Sequence, residues 1–188
     1  MDPETQTLYI QSVTRPIGMA LVEPPDGTSD WPYVIQYTRT AGPRGLPLVK
    51  PPYRRITAID LNSGEHVWQI PFGKGPTNHP DIVDLDLGPL GTSFNDVVAE
   101  GGILITKTLL ISYLAAKDEI GPEETGSILV AHDKATGELI GEVNVALRLH
   151  GPIMSYQIQN KQYIAIAGGG RNNDAELLSF ALPGTTGN

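Results

Sequence analysis

The sequence predicts an all-β protein, and three observations carry that expectation. Glycine and proline together supply 37 of the 188 residues, so a breaker falls every few positions and long helices are excluded. Apolar residues recur in short runs rich in Ile, Val, Leu, Thr and Tyr, each closed by Gly, Pro, Asn or Asp, which is the pattern of strands between tight turns. No window of helical length keeps a 3.6-residue period without a Gly or Pro interrupting it.

Ten strands follow in chain order. The first, 7–12, alternates apolar and polar side chains, and 55–60 and 66–71 flank the bend at 61–65. Residues 101–106 and 109–113 form a short apolar pair split by Lys107. Residues 127–133 and 138–145 flank a second bend, and 152–157 and 162–167 flank Gln159-Asn160-Lys161, where Asn tolerates a left-handed turn. A last run covers 177–182. Two proline-rich segments, 14–54 and 72–100, read as long irregular connections, which in a compact domain are usually functional or packed on a neighbour. A third, 115–126, is acidic and expected to be exposed.

An internal repeat is the most informative feature. Residues 56–70 (ITAIDLNSGEHVWQI) and 129–143 (LVAHDKATGELIGEV) align at a constant offset, Ala58 on Ala131, Asp60 on Asp133, Gly64 on Gly137 and Glu65 on Glu138. Each copy is strand, Asp-x-x-x-Gly bend, strand. Asp at the first position can accept main-chain N–H bonds from the turn, and Gly supplies the positive φ that closes it. Trp68 in the first copy can lay a flat apolar surface over a neighbouring sheet, whereas its counterpart Gly141 cannot, so the second interface must be packed differently. Hairpin repeats of this kind belong to radially arranged four-stranded sheets.

At this point the sequence resembles a known family. Ala58-x-Asp60-x-x-Ser63-Gly64-x-x-x-Trp68 looks like the tryptophan-docking repeat of quinoprotein dehydrogenases, β-propeller enzymes that carry pyrroloquinoline quinone (PQQ). Further segments resemble the C-terminal third of its glucose-dehydrogenase-like branch: Lys50-Pro51-Pro52-Tyr53, Asn78-His79-Pro80, Leu104-Ile105-Thr106-Lys107, Asp133 to Glu138, Asn160 to Ile164 leading into Ala167-Gly168-Gly169, and Ser179 to Pro183. The resemblance implies a partial β-propeller of about two and a half to three four-stranded antiparallel blades within one domain, 1–188. On it, 7–71 is an incomplete first blade with 14–54 as its long loop, 101–145 a complete blade and 152–182 an incomplete last blade. It also implies PQQ and calcium in a longer parent, a small sugar or polyol as substrate, and a periplasmic or inner-membrane-anchored location facing the periplasm. The innermost first strand, the catalytic Asp, the calcium ligands and most quinone contacts would lie upstream, so neither group is expected to bind this chain alone. The chain itself is expected to be inactive.

Composition narrows the partners independently. Thirteen basic residues face twenty-one acidic ones, a net charge of −8, with the basic residues scattered singly; this argues against nucleic acid or an anionic membrane surface. Cysteine is absent, which removes disulfides, thiolate catalysis and cysteine metal sites. The first residues carry no basic or apolar leader pattern, and the longest apolar stretch, 101–116, falls short of the roughly 20 residues that span a bilayer.

Asp60 and Asp133 are read as bend residues rather than calcium ligands, and with Gly64, Trp68 and Gly137 they form the structural repeat. His66, His79, His132 and His150 never occur at ligand spacing, so no metal site is expected. His79, between Asn78 and Pro80, is the candidate for catalytic involvement, against a loop-ordering role. Gly168-Gly169-Gly170-Arg171 lacks the Lys-Ser/Thr and following helix of a phosphate loop. By the resemblance, Gly169, Gly170 and Arg171 lie at an active-site rim, where many relatives carry His in place of Gly170. Arg171 is there a substitute hydroxyl donor or simply solvated. Two readings from other classes remain open: a non-catalytic propeller that binds or scaffolds, and a short chain that self-associates through exposed blade edges to complete a ring.

Overall fold

The structure, a computed structural model, describes residues 1–40, 42–92, 102–115, 126–170 and 173–181. Twelve strands occur there: β1 (Thr7–Val13), β2 (Ile17–Val22), β3 (Val34–Arg39), β4 (Arg54–Asp60), β5 (His66–Pro71), β6 (Leu104–Ile105), β7 (Leu109–Ala115), β8 (Ser127–Asp133), β9 (Leu139–Val145), β10 (Leu149–Ile158), β11 (Lys161–Gly170) and β12 (Asn173–Ala181). They pair as three antiparallel meanders, β1-β4-β5, β6-β7-β8-β9 and β10-β11-β12, plus the separate hairpin β2-β3. Among the described residues the only helical pieces are two short 3-10 turns, Pro43–Gly45 and Val83–Leu85, and no helix is long and apolar enough to cross a membrane.

The three meanders stack face to face. Alternation along the middle sheet explains how it serves two neighbours at once. Leu110 and Leu114 of β7, with Ile128 and Val130 of β8, pack toward Ile56, Phe72 and Tyr9 of the first sheet. Ile111 and Tyr113, with Leu129 and Ala131, pack toward Leu149, Ile153 and Ile166 of the third. β7 is therefore buried almost without interruption, as strands covered on both faces are. Each fully buried aliphatic or Phe side chain in these joints contributes about 1.5–3 kcal/mol.

The turns at the lower edge follow from the repeat. In both bends the glycine N–H donates to the aspartate carbonyl, at 2.8 Å for Gly64 to Asp60 and 2.9 Å for Gly137 to Asp133. Each aspartate Oδ1 accepts a main-chain N–H within the bend, from Asn62 at 2.8 Å and from Ala135 and Thr136 at 2.9 Å. These N–H groups hold both carboxyls below the usual carboxylate range. Gly64 and Gly137 sit at φ +76° and +78°, the left-handed region that a Cβ disfavours. Gln159 and Asn160, both at positive φ, close the β10-β11 hairpin.

The structure departs from the expected elements at several points. The segment 14–54 is not wholly irregular: it contains the β2-β3 hairpin, because its prolines 16, 24, 25 and 32 flank the two strands instead of interrupting them. The run 101–106 shortens to Leu104–Ile105, since Thr106 already turns back to Leu109 through its N–H and hydroxyl. β10 starts before Pro152 because a bulge between His150 and Met154 accommodates a residue with no N–H to donate. β12 begins earlier than 177. Residues 116–125, expected to be exposed, lie outside the described residues.

Candidate functional site

The meander topology sorts the connections onto two edges. The bends 61–65, 106–108, 134–138 and 159–160 lie on the lower edge, where Lys134 N–H donates to the Thr108 carbonyl at 2.8 Å and Leu61 N–H to the Gln6 carbonyl at 2.9 Å. The upper edge gathers 14–53, 72–92 and 146–148. It is tied together by Thr14 N–H to Tyr53 O and Tyr53 N–H to Leu90 O, each 2.8 Å, and by Leu149 N–H to Ser127 Oγ at 2.9 Å. His79, Gly169 and Gly170 all fall on this upper edge, while Asp60, Gly64, Asp133 and Gly137 all fall on the lower one.

The lower edge is a joint between sheets. Trp68 lies against the second bend: a Cβ on Gly137 would stand 2.9 Å from the indole ring. The indole N–H donates to the Lys134 carbonyl at 3.3 Å, and the Tyr9 hydroxyl donates to the same oxygen at 3.2 Å. The rings of Tyr9 and Trp68 lie 5.8 Å apart at a tilt. The Lys134 ammonium reaches the buried Asp2 carboxylate at 2.6 Å, and Asp2 also accepts from Glu4 N–H at 3.0 Å and Thr5 hydroxyl at 2.8 Å. The sequence does not disclose that Lys134, Tyr9 and Asp2 meet: Lys134 fills the x after Asp133 in the bend, and nothing local announces a partner so far away in the chain. At Gly141, the counterpart of Trp68, a Cβ would meet open space, and the second joint is filled by Leu149, Ile153, Ile166, Leu178 and Phe180 instead.

Lys134 first, then Thr5 and the Glu4 N–H, lower the Asp2 pKa to about 2. A carboxyl held below its unfolded value adds stability that is complete above about pH 4 and is lost as pH falls toward 2. We expect the urea midpoint to fall between pH 5 and pH 2.5 in the unaltered chain. Asp2→Asn should lower it at pH 5 and flatten that pH dependence, and an unchanged slope would refute the assignment.

On the upper edge, His79 sits in a loop closed at a neck. Phe72 and Thr92, Gly73 and Gly91, and Lys74 and Leu90 are joined by bonds from Thr92, Gly91 and Leu90 N–H at 2.9, 3.0 and 2.9 Å. Within the loop, His79 Nδ1 accepts from Asp81 N–H at 3.2 Å, so Nε2 carries the proton and donates to the Arg44 carbonyl at 3.1 Å. Arg44 in turn pairs with Asp81 at 2.6 Å. Both imidazole nitrogens are thus committed to the main chain, and neither offers a lone pair for a general base without breaking a bond. A cleft of about 280 Å³ lies in the same loop, lined by Lys74, Thr77, Ile82, Val83, Asp86 and Leu87 among others.

Gly169 belongs to the third sheet. It forms a bulge opposite β12 at φ +155°, with its N–H on Arg148 O at 2.8 Å and its carbonyl facing His150 Nε2 at 3.3 Å. Gly170 pairs with Asn173; Arg171 lies outside the described residues. His79 and Gly169 share an edge but are held by different partners: the imidazole of His79 bonds to Arg44 O and Asp81 N–H, whereas the main-chain N–H and carbonyl of Gly169 bond to Arg148 and His150.

Among the described residues no group of three or more His, Asp or Glu converges to hold a metal ion. They therefore supply no set of such side chains for a calcium ion, and no catalytic step is assigned to them.

Comparison with known proteins places these features. Residues 1–164 match the family model for the PQQ glucose/ethanol/alcohol dehydrogenase β-propeller domain. The chain is 28% identical over 172 residues to quinate/shikimate dehydrogenase (quinone) of Acinetobacter baylyi, covering 88% of this chain and 19% of that protein. It is 31% identical to the glycerol dehydrogenase large subunit of Gluconobacter thailandicus, covering 85% and 20%, and 25% identical to quinoprotein glucose dehydrogenase A of Acinetobacter calcoaceticus, covering 81% and 18%. The chain thus spans about a fifth of the length of these relatives. A solved quinohemoprotein alcohol dehydrogenase from Pseudomonas putida HK5 superposes with a TM-score of 0.51 at 15% identity, over 90% of this chain and 21% of that one, which supports the fold. With three antiparallel meanders stacked as propeller blades and the family model covering most of its length, the chain belongs to the glucose/ethanol/alcohol dehydrogenase family of PQQ β-propellers.

Proposed function

We propose that this chain is the C-terminal part of a PQQ-dependent sugar or polyol dehydrogenase and is inactive on its own. The observation that carries the reading is the family match over 1–164, joined to relatives named for quinate, glycerol and glucose, all polyhydroxylated small molecules. The upper edge supports it. In this reading Gly169, Gly170 and the His79 loop, which lie on that edge, are the active-site rim and position substrate hydroxyls while chemistry is done elsewhere. When bound in the parent with calcium, the quinone takes up the electrons released as an alcohol becomes a carbonyl. The role of the residues described here is to wall and close the ring. His79, with both nitrogens bonded, orders its loop in this reading. The parent is placed in the periplasm or on the inner membrane facing it, and isolated copies of the chain associate through uncovered blade edges.

The test is quinone-dependent dye reduction. The purified chain with PQQ and calcium should show no turnover on glucose, glycerol or quinate. The same chain joined to the preceding four-fifths of its reading frame should turn over at least one of them. Turnover by the chain alone would overturn the inactivity, and a silent full-length protein would overturn the enzymatic reading.

A further inference from the structure

The joint between the first two sheets buries a group that can take up a proton. His132, near the end of β8, is only 5% exposed. Strand alternation puts it on the face of the middle sheet that carries Ile128 and Val130. Its ring meets that of Phe72 edge to face, with centroids 6.1 Å apart and planes at 61°. Across β7, Leu110 stands opposite His132 and Ser112 opposite Val130. Among the described residues, no hydrogen-bonding partner reaches His132 Nδ1 or the equally buried Ser112 hydroxyl. A neutral imidazole can leave Nδ1 as a bare lone pair. An imidazolium cannot: its Nδ1–H would be a buried donor with nothing to accept it, beside Leu110, Val130 and Phe72. Among the described residues, the charge that acts on the ring is Glu142 of β9, opposite Val130 on the same face and exposed at the margin of the joint. The groups facing His132 from β7 and from the first sheet, Leu110, Ser112 and Phe72, carry no charge. Burial outweighs the pull of Glu142 and holds the imidazole below its usual value.

Phe72 links this ring to the upper edge. Its side chain is 1% exposed within the joint, its N–H donates to Arg54 O at 2.9 Å, and its carbonyl accepts from Thr92 N–H at 2.9 Å. That last bond is the first of the three that close the loop carrying His79. We propose that His132 is an acid-sensing element: on taking up a proton it displaces Phe72 from the joint and releases the neck of the His79 loop. The proton favours the open arrangement because water can accept from Nδ1–H there, whereas nothing can in the closed joint. The sign of the pH dependence follows. The closed joint binds the proton less readily than the open or unfolded chain, so this contribution to closure is complete above about pH 6.5 and is lost as pH falls through the depressed value. That window lies above the one set by Asp2. The device needs only the joint and the loop, so it stands independently of the dehydrogenase reading.

Nuclear magnetic resonance on the full chain tests it. The His132 ring signals should titrate below about pH 6.5. Over the same range the protection factors of the Leu90 and Thr92 amides should fall about tenfold or more, with the midpoint of the ring, while those of β11 hold. His132→Gln should abolish the fall. Glu142→Gln changes an exposed side chain and spares the joint; removing its charge should carry the ring midpoint and the amide midpoint to lower pH together. Amide protection that ignores pH would overturn the inference, as would an amide midpoint that differs from that of the ring. So would a Glu142→Gln shift in one midpoint without the other. A fall that survives in His132→Gln would belong to another group, such as His79 in the loop itself, and would overturn it too. None of these outcomes touches the enzymatic assay.

Discussion

Replacing Trp68 by Ala should destabilise the chain by about 3 kcal/mol, within the range for large aromatic truncations. Three losses act together. The indole leaves the second bend, where it fills the space above Gly137. The Lys134 carbonyl loses one of its two side-chain donors, keeping only the Tyr9 hydroxyl. Tyr9 loses the ring it leans on at 5.8 Å. The converse change isolates the contact. Gly137→Ala puts a methyl 2.9 Å from the indole and forces an L side chain to φ +78°, and should cost about 2–3 kcal/mol. In the Trp68→Ala background the clash with the indole disappears, leaving the backbone part of about 1 kcal/mol and the milder approach to Ile70 Cγ2 at 3.1 Å. The double variant must therefore lose less than the two single losses added, a coupling that urea titration of all four proteins measures. Strict additivity would mean that the indole and the bend do not support one another.

This joint also shows what the chain discloses before it folds. The Asp60-to-Gly64 and Asp133-to-Gly137 bends are legible because their chemistry is local: an acceptor, a turn and a glycine within five residues. The strands of the middle sheet are legible because both faces are buried, so their apolar runs are nearly continuous. The β2-β3 hairpin hides for the opposite reason. With both faces largely open, it alternates Ile17, Met19 and Leu21 with Gly18 and Ala20 between prolines, and a loop has a similar composition. Lys134 is likewise invisible, since its worth lies in a carbonyl and an ammonium whose partners come from Asp2, Tyr9 and Trp68. The placement of His79 depends on main-chain bonds at the neck of its loop, and main-chain bonds leave no residue signature. Trp68 is the intermediate case. Its spacing after Ala58 suggests a surface to dock, but which surface is decided only by the stacking of sheets.

That neck is the second place where a single atom should matter. Gly91 adopts φ +78°, and a Cβ there would collide with the main-chain nitrogen of Arg54, at 2.6 Å, and with its carbonyl oxygen. Neither obstacle is the tip of a flexible side chain, because Arg54 opens β4 and its carbonyl already accepts from Phe72 N–H at 2.9 Å. Gly91→Ala must therefore move main chain, and should cost about 3 kcal/mol, combining the unfavourable φ with the clash. The loss should also be local in kind. If the neck opens, Leu90 and Thr92 lose their bonds to 74 and 72, and the segment carrying His79 is no longer held at the upper edge. Amide exchange should then accelerate at Tyr53, Leu90 and Thr92 while the Asp133 bend stays protected. Gly88→Ala makes the control: it too has positive φ, yet a Cβ there meets nothing within 4 Å, so it should lose only the backbone term of about 1 kcal/mol. Equal losses at Gly88 and Gly91 would show that conformation alone, and not the close approach of β4, fixes this loop.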